Sequence, residues 1–227
     1  MKLYIGNRNY SSWSMRPGVL LAQAGIEHEA VMIRFDAFDA QSQFKRAVAA
    51  VSPAGRVPVL VDGDLAVWDT LAIAEYVAEK FPAKALWPAD VAARARARSV
   101  CAEMHAGFGA LRGACPMNIE ASLPDAGALI WRDQPAVRAD VARIVEMWTA
   151  LLDASGGPLL FGGFTIADAY FAPVCMRLAT YALPVPAPVR AYVERVRALP
   201  GVVAWMDAAL AEQDFLDFEE PYRLRRT

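Results

Sequence analysis

The spacing of apolar and polar positions changes period part-way along the chain. Residues 2–5 form a short β-rich run, a serine-rich turn follows, and Val19, Leu20, Leu21 and Ala22 recur at helical spacing until Gly25 closes the segment. Residues 28–35 alternate and are rich in Val and Ile, which predicts a second strand, and the Ala-rich residues 41–51 are weakly helical. Two short apolar runs then flank Asp62-Gly63 within residues 56–68, a local hairpin signal. Proline cannot donate to a sheet ladder, so Pro58 at the start of that hairpin implies an edge or a specialised backbone such as a cis peptide. Asp69 stands in N-cap position before Thr70, Leu71, Ala72, Ile73, Tyr76 and Val77, an apolar stripe at helical spacing that ends near Phe81-Pro82.

The order β-α-β-α-β-β-α predicts a small mixed sheet covered by helices, a thioredoxin-like arrangement, although spacing alone leaves other α/β folds open. Beyond it the period becomes helical throughout: residues 90–113, 133–153, 166–180, 188–199 and 202–211 are rich in Ala, Leu and Val, and strand signals are sparse. The expected organisation is therefore an α/β domain over 1–82, a linker over 83–89 and an all-helical domain over 90–227. Residues 219–227, with Arg223, Arg225 and Arg226, read as a solvated terminus without functional weight.

Composition narrows the function. With 56% hydrophobic and 21% charged residues the chain can bury a substantial core. Its 23 Lys and Arg against 25 Asp and Glu give a net charge of -2, so no basic field exists to hold nucleic acid or an anionic bilayer. No signal-peptide pattern opens the chain and no uncharged stretch of about 20 residues occurs, which predicts a cytoplasmic protein. Three cysteines without CxxC spacing and only two histidines, His28 and His105, make disulfide frameworks and metal sites improbable, and none is expected. Neither GxxxxGK[ST] nor GxGxxG is present, so nucleotide cofactors are not indicated.

Three segments could carry chemistry. In Tyr10-Ser11-Ser12-Trp13-Ser14-Met15-Arg16-Pro17, hydroxyls precede a helix; with Ser14 as N-cap, Pro17 falls at N3, where a missing N–H costs little. A helix start favours anions, and a serine hydroxyl there can donate to a thiolate; the same serines also serve as simple caps. A serine nucleophile is disfavoured, because neither histidine is placed as its base. Arg56-Val57-Pro58 and Asp69-Thr70 together offer main-chain groups, a cation, a carboxylate and helix donors, a match for a peptide-like ligand with an amine and carboxylates, while Asp69 alone reads as a cap. Thr165 and Asp168 have capping-box spacing and read as structural.

Taken together these segments resemble the cytosolic glutathione transferases, over nearly the whole chain, and look like a serine-type, zeta-like bacterial member. The resemblance implies the family's fold, a thioredoxin-like domain followed by a helical bundle, and glutathione as co-substrate with no metal. Carried over residue by residue, it implies that Ser11 donates to the glutathione sulfur with Ser12 as its competitor. Val57, beside the family's cis-proline at Pro58, would pair with the cysteinyl unit. Asp69 and Thr70 would hold the γ-glutamyl end, and Arg56 would reach the glycyl carboxylate. Trp13 would face the second substrate, a small hydrophobic electrophile. A homodimer is implied, and so are the alternatives of glutathione-dependent peroxidase, isomerase or non-catalytic binding protein. Two departures stand out: Trp13 replaces the cysteine of zeta enzymes, which weakens the maleylacetoacetate isomerase reading, and Asp69-Thr70 replaces the commoner Glu-Ser.

Overall fold

A computed structural model describes residues 1–226. Four strands, β1 (Lys2–Ile5), β2 (Glu29–Met32), β3 (Val59–Asp62) and β4 (Leu65–Val67), form one sheet in the order β2-β1-β3-β4. β1 runs parallel to β2 and antiparallel to β3, with Leu3 opposite both Ala30 and Leu60. Period-2 patterning buries Leu3 and Ile5 completely while Lys2 faces solvent. At the hairpin tip Gly63 takes φ 60°, a left-handed conformation that a side chain would strain. The Val57–Pro58 peptide is cis.

Helices α1 (Ser12–Gln23) and α3 (Thr70–Lys80) pack together against this sheet, with α2 (Gln43–Ala49) crossing between β2 and β3. The helical part contains α4 (Val91–Ala106), α5 (Gly109–Ala114), α6 (Pro124–Asp133), α7 (Pro135–Ser155), α8 (Ile166–Thr180), α9 (Ala187–Arg197) and α10 (Pro200–Glu212). α1 joins the two parts, because it also packs against α8 and α10. That crossing needs small residues: a Cβ on Gly18 would lie 2.2 Å from the Trp205 ring, and one on Gly201 would lie 2.7 Å from the Gln23 amide. At the centre of the bundle Trp148, Phe171 and Tyr192 meet edge to face.

The helix boundaries depart from the sequence expectations at four places. Ser11, not Ser14, is the N-cap of α1, since the Ser11 carbonyl accepts from Met15 N–H at 3.0 Å and its hydroxyl faces Ser14 N–H. Pro17 consequently lies inside the helix. The N–H it lacks would have reached the Trp13 carbonyl, and Arg16 Nη1 donates to the neighbouring Ser12 carbonyl at 3.1 Å. The expected helix over 90–113 breaks at Gly107, with Phe108 at φ 56°, and resumes as α5. α6 was not anticipated, although Pro124 at its first turn and Asp125 beside it are ordinary start signals.

The fourth departure is the terminal segment, which is docked. Glu220 is buried and accepts from Tyr10 Oη at 2.7 Å and from Asn118 Nδ2 at 2.9 Å, while Arg223 pairs with both Glu220 and Glu120. Thr227 lies outside the described residues. The Thr165–Asp168 capping box forms as expected, and Asp168, wholly buried, accepts from Thr165 N–H, Thr165 Oγ1, Leu160 N–H and Tyr192 Oη at 2.9–3.2 Å.

Candidate functional site

The start of α1 opens on the cleft between the sheet and the bundle. Ser11 Oγ donates to Ser14 Oγ at 2.7 Å, and Ser14 Oγ also accepts from Gly6 N–H at 3.1 Å. Ser12 points elsewhere: its hydroxyl accepts from Nη2 of the buried Arg177 at 3.2 Å. Arg177 donates its remaining bonds to the carbonyls of Cys115 and Pro173, and burial pulls its guanidinium down to about 10. Arg16, also buried, donates to the carbonyls of Tyr170 and Ser12, and burial brings it to about 9. Both remain cations at neutral pH, and among the described residues neither forms a salt bridge with a carboxylate.

Three cavities meet around the half-buried Trp13. The first, about 290 Å³, is lined by Tyr10, Ser11, Ser12, Phe38, Arg56, Val57 and others. The second, about 370 Å³, includes Ser12, Gly109, Arg112, Arg177 and Glu219. The third, about 320 Å³, includes Arg56, Val57, Pro58, Asp69, His105 and Arg112. Neither the N–H nor the C=O of Val57 has a hydrogen-bond partner among the described residues, so both are free for an extended ligand. A larger cavity of about 790 Å³ lies between α4 and α7, lined by Arg96, Glu103 and Arg143, and none of the candidate residues reaches it.

At the other end of the cleft Asp69 caps α3, accepting from Thr70 N–H. Its carboxylate is exposed and faces His105 Nε2 at 3.5 Å. His105 Nδ1 lies 3.0 Å from Tyr170 Oη, which lies 2.6 Å from Thr70 Oγ1. This circuit spans α3, α4 and α8. Burial pushes the Tyr170 phenol up to about 12, so the link is a neutral hydroxyl at physiological pH.

Residues 10–80 match the family model described as the glutathione S-transferase N-terminal domain, and residues 91–208 match the one described as its C-terminal domain. The chain belongs to the glutathione S-transferase family. Over 98 residues it is 39% identical to glutathione S-transferase Z1 of Arabidopsis thaliana, spanning 42% of this chain and 41% of that relative. Over 121 residues it is 33% identical to maleylacetoacetate isomerase of Pseudomonas aeruginosa, spanning 52% of this chain and 55% of the relative. The chain thus matches about half or less of the length of these curated relatives. A glutathione transferase homologue from Burkholderia GL BGR1, solved with bound glutathione, shares the fold at a TM-score of 0.69 and 27% identity, covering 93% of this chain and 98% of that one.

Against the expectations drawn from the glutathione S-transferase resemblance, the structure brings Ser11, Ser12, Trp13, Arg56, Val57, Pro58 and Asp69 to cavities that share Trp13. Thr70 is different. It is buried, lines none of these cavities, and its hydroxyl is committed to Tyr170. Four further residues line the cleft: His105, which the sequence offers only as a histidine without a serine to serve, Glu219, which falls in the segment read as a solvated terminus, and Arg112 and Arg177, which carry no expectation. The rarity of histidine was a usable signal for His105, whereas isolated arginines on helices carry no local mark of a site. Among the described residues no group of three or more His, Cys, Asp or Glu could hold a metal ion, and no helix is long and apolar enough to cross a membrane. The three cysteines are buried and unpaired.

Proposed function

We propose that this chain is a glutathione transferase that binds glutathione in the first and third cavities, stabilises its thiolate and delivers it to a small hydrophobic electrophile in the second. The observation that carries the reading is the alignment of Ser11, the unpaired main chain of Val57 and the carboxylate of Asp69 along one cleft. These would receive, in order, a sulfur, a peptide unit and an ammonium. Arg56, exposed at the mouth, would meet the glycyl carboxylate.

The chemistry at the sulfur follows from the serine pair. Reversing the Ser11–Ser14 bond, so that Ser14 donates to Ser11, releases the Ser11 hydrogen without loss of a hydrogen bond. The order Gly6 N–H to Ser14 to Ser11 to thiolate is then a chain of donors, each polarising the next, at the positive end of α1. The thiol proton leaves to solvent, and the sulfur attacks the electrophile held beside Trp13. Asp69 is kept in place by Thr70 N–H and by His105, whose ring is fixed in turn by Tyr170.

A second reading, a glutathione-dependent isomerase, is favoured by the match to maleylacetoacetate isomerase and by the two guanidiniums lining the second cavity. The family resemblance further supports a homodimer and a cytoplasmic location. The test is a panel: retention on immobilised glutathione, then turnover with chlorodinitrobenzene, a hydroperoxide and a cis-diene acid. Retention with conjugation is the expected result, and failure to bind glutathione at millimolar concentration overturns the reading.

A further inference from the structure

The terminal segment places one acidic side chain at the junction of two of the cavities. Glu219 lies on the short 3-10 turn Asp217–Glu219 and lines both the first and the second cavity. Its neighbours anchor it. Glu220 is buried against Tyr10 and Asn118, and the Phe218 ring meets Phe38 edge to face at 5.3 Å. Glu219 is the sole acid in either lining, set among Lys45 and Arg56 on one side and Arg112 and Arg177 on the other. No side chain or backbone group hydrogen-bonds to its carboxylate among the described residues, so its position is imposed by the fold.

A negatively charged substrate entering the second cavity is attracted by Arg112 and Arg177. It is opposed by a carboxylate that already occupies their field. Specificity arises as much from such a repulsive element as from attraction. We propose that Glu219 is a specificity-determining residue of the second cavity, selecting neutral electrophiles over anionic ones. The proposal rests on the reading that the adjoining cavities hold glutathione. Burial pushes the Glu219 carboxyl up to about 6, although Arg177 pulls in the other direction, so the selection is strong at pH 7.5 and relaxes below pH 6. Lys45 and Arg56 face it on one side and Arg112 and Arg177 on the other; burial pulls Arg177 down only to about 10 and pushes Tyr10 up to about 12, and Glu220 is paired with Arg223.

The test compares two unreactive conjugates, S-benzylglutathione and S-(4-sulfobenzyl)glutathione, which have no free thiol and differ by one permanent charge. Calorimetric Kd values are measured at pH 7.5 and 5 for wild type, Glu219→Gln and Glu219→Asp. In Glu219→Gln at pH 7.5 the affinity for the sulfonate relative to the benzyl conjugate should rise about five-fold, the size expected for removing one like charge from a partly buried pocket. Wild type should show most of that rise on going to pH 5, Glu219→Gln should show none, and Glu219→Asp should stay close to wild type. An unchanged ratio in Glu219→Gln, or an equal loss for both conjugates, overturns the proposal alone. Failure of both conjugates to bind wild type overturns the glutathione reading and this inference with it.

Discussion

Replacing Ser11 by alanine removes two things of different size. One is the N-cap of α1, a bond of 3.4 Å to Ser14 N–H, worth about 1 kcal/mol, and a protein of ordinary stability survives that loss. The other is the last donor of the chain that begins at Gly6. If that donor holds the bound thiol about two units below the ordinary value of about 8.5, its removal returns the thiol to about 8.5. The thiolate fraction then falls roughly 80-fold at pH 6 and about 25-fold at pH 7. A more basic thiolate is also more nucleophilic, and a Brønsted slope of about 0.45 offsets roughly 8-fold of the loss. Net turnover should drop about 10-fold at pH 6, about 3-fold at pH 7, and rise about 6-fold at pH 9. The pH–rate profiles of wild type and Ser11→Ala should therefore cross. The assay is kcat/KM for chlorodinitrobenzene at saturating glutathione from pH 5.5 to 9.5, with direct ultraviolet titration of the bound thiolate. Ser12→Ala should produce no crossing, because the Ser12 oxygen serves Arg177. Uniform slowing of Ser11→Ala at every pH, or a crossing produced by Ser12→Ala instead, refutes the donor chain.

Asp168→Ala strips the acceptor from two buried amides, Thr165 N–H and Leu160 N–H, and should lower stability by about 3 kcal/mol; a urea-unfolding free energy within about 0.5 kcal/mol of wild type, at unchanged m, would contradict this. Because the folded-state value of Glu219 is raised from 4.5 to about 6, its contribution to stability is present at low pH and is lost as pH rises through that window. Glu219→Gln should match wild type near pH 4 and be the more stable of the two at pH 7.5, and thermal unfolding showing the reverse order would count against it. Tyr170→Phe deletes the hydroxyl between Thr70 and His105 and should raise KM for glutathione about 5- to 10-fold with little change in kcat; a fall in kcat at constant KM would assign Tyr170 a different role.

The α/β half was legible because its signals are local. Asp62-Gly63 makes a turn wherever it lies between apolar runs, and Asp69 caps whatever helix follows it. The serine segment was legible only in part: hydroxyls announce a helix start, but three serines within four residues offer three possible caps. The choice of Ser11 depends on Gly6 and the loop from Asn7, which tie the start of α1 to β1. Thr70 shows the converse. Its residue type and position suggested a ligand contact, and the partner that claims its hydroxyl, Tyr170, lies one hundred residues away. The terminal segment failed for the same reason. Glu220 and Arg223 look like surface charges until Tyr10, Asn118 and Glu120 are brought against them.

The two buried guanidiniums change what the start of α1 can do. A helix terminus alone stabilises a nearby anion by about 0.3–1 kcal/mol when exposed, which is less than a two-unit shift of a thiol requires. Arg177 Nη2 lies 3.2 Å from Ser12 Oγ, and Arg16 is bound to the Ser12 carbonyl, so two positive charges adjoin the turn from which Ser11 projects. Their hydrogens go to neutral carbonyls and a hydroxyl, and burial has drawn both below their ordinary values without neutralising them. Burying a cation without a hydrogen-bonded carboxylate destabilises the fold, an expense that Arg16 offsets in part by stacking on the Trp13 and Tyr170 rings at 4.3 and 5.1 Å. Glu219, in the same cavity as Arg177, offsets part of that charge, and a thiolate beside Ser11 would offset more, the Ser11 hydroxyl being the donor through which the sulfur gains that field.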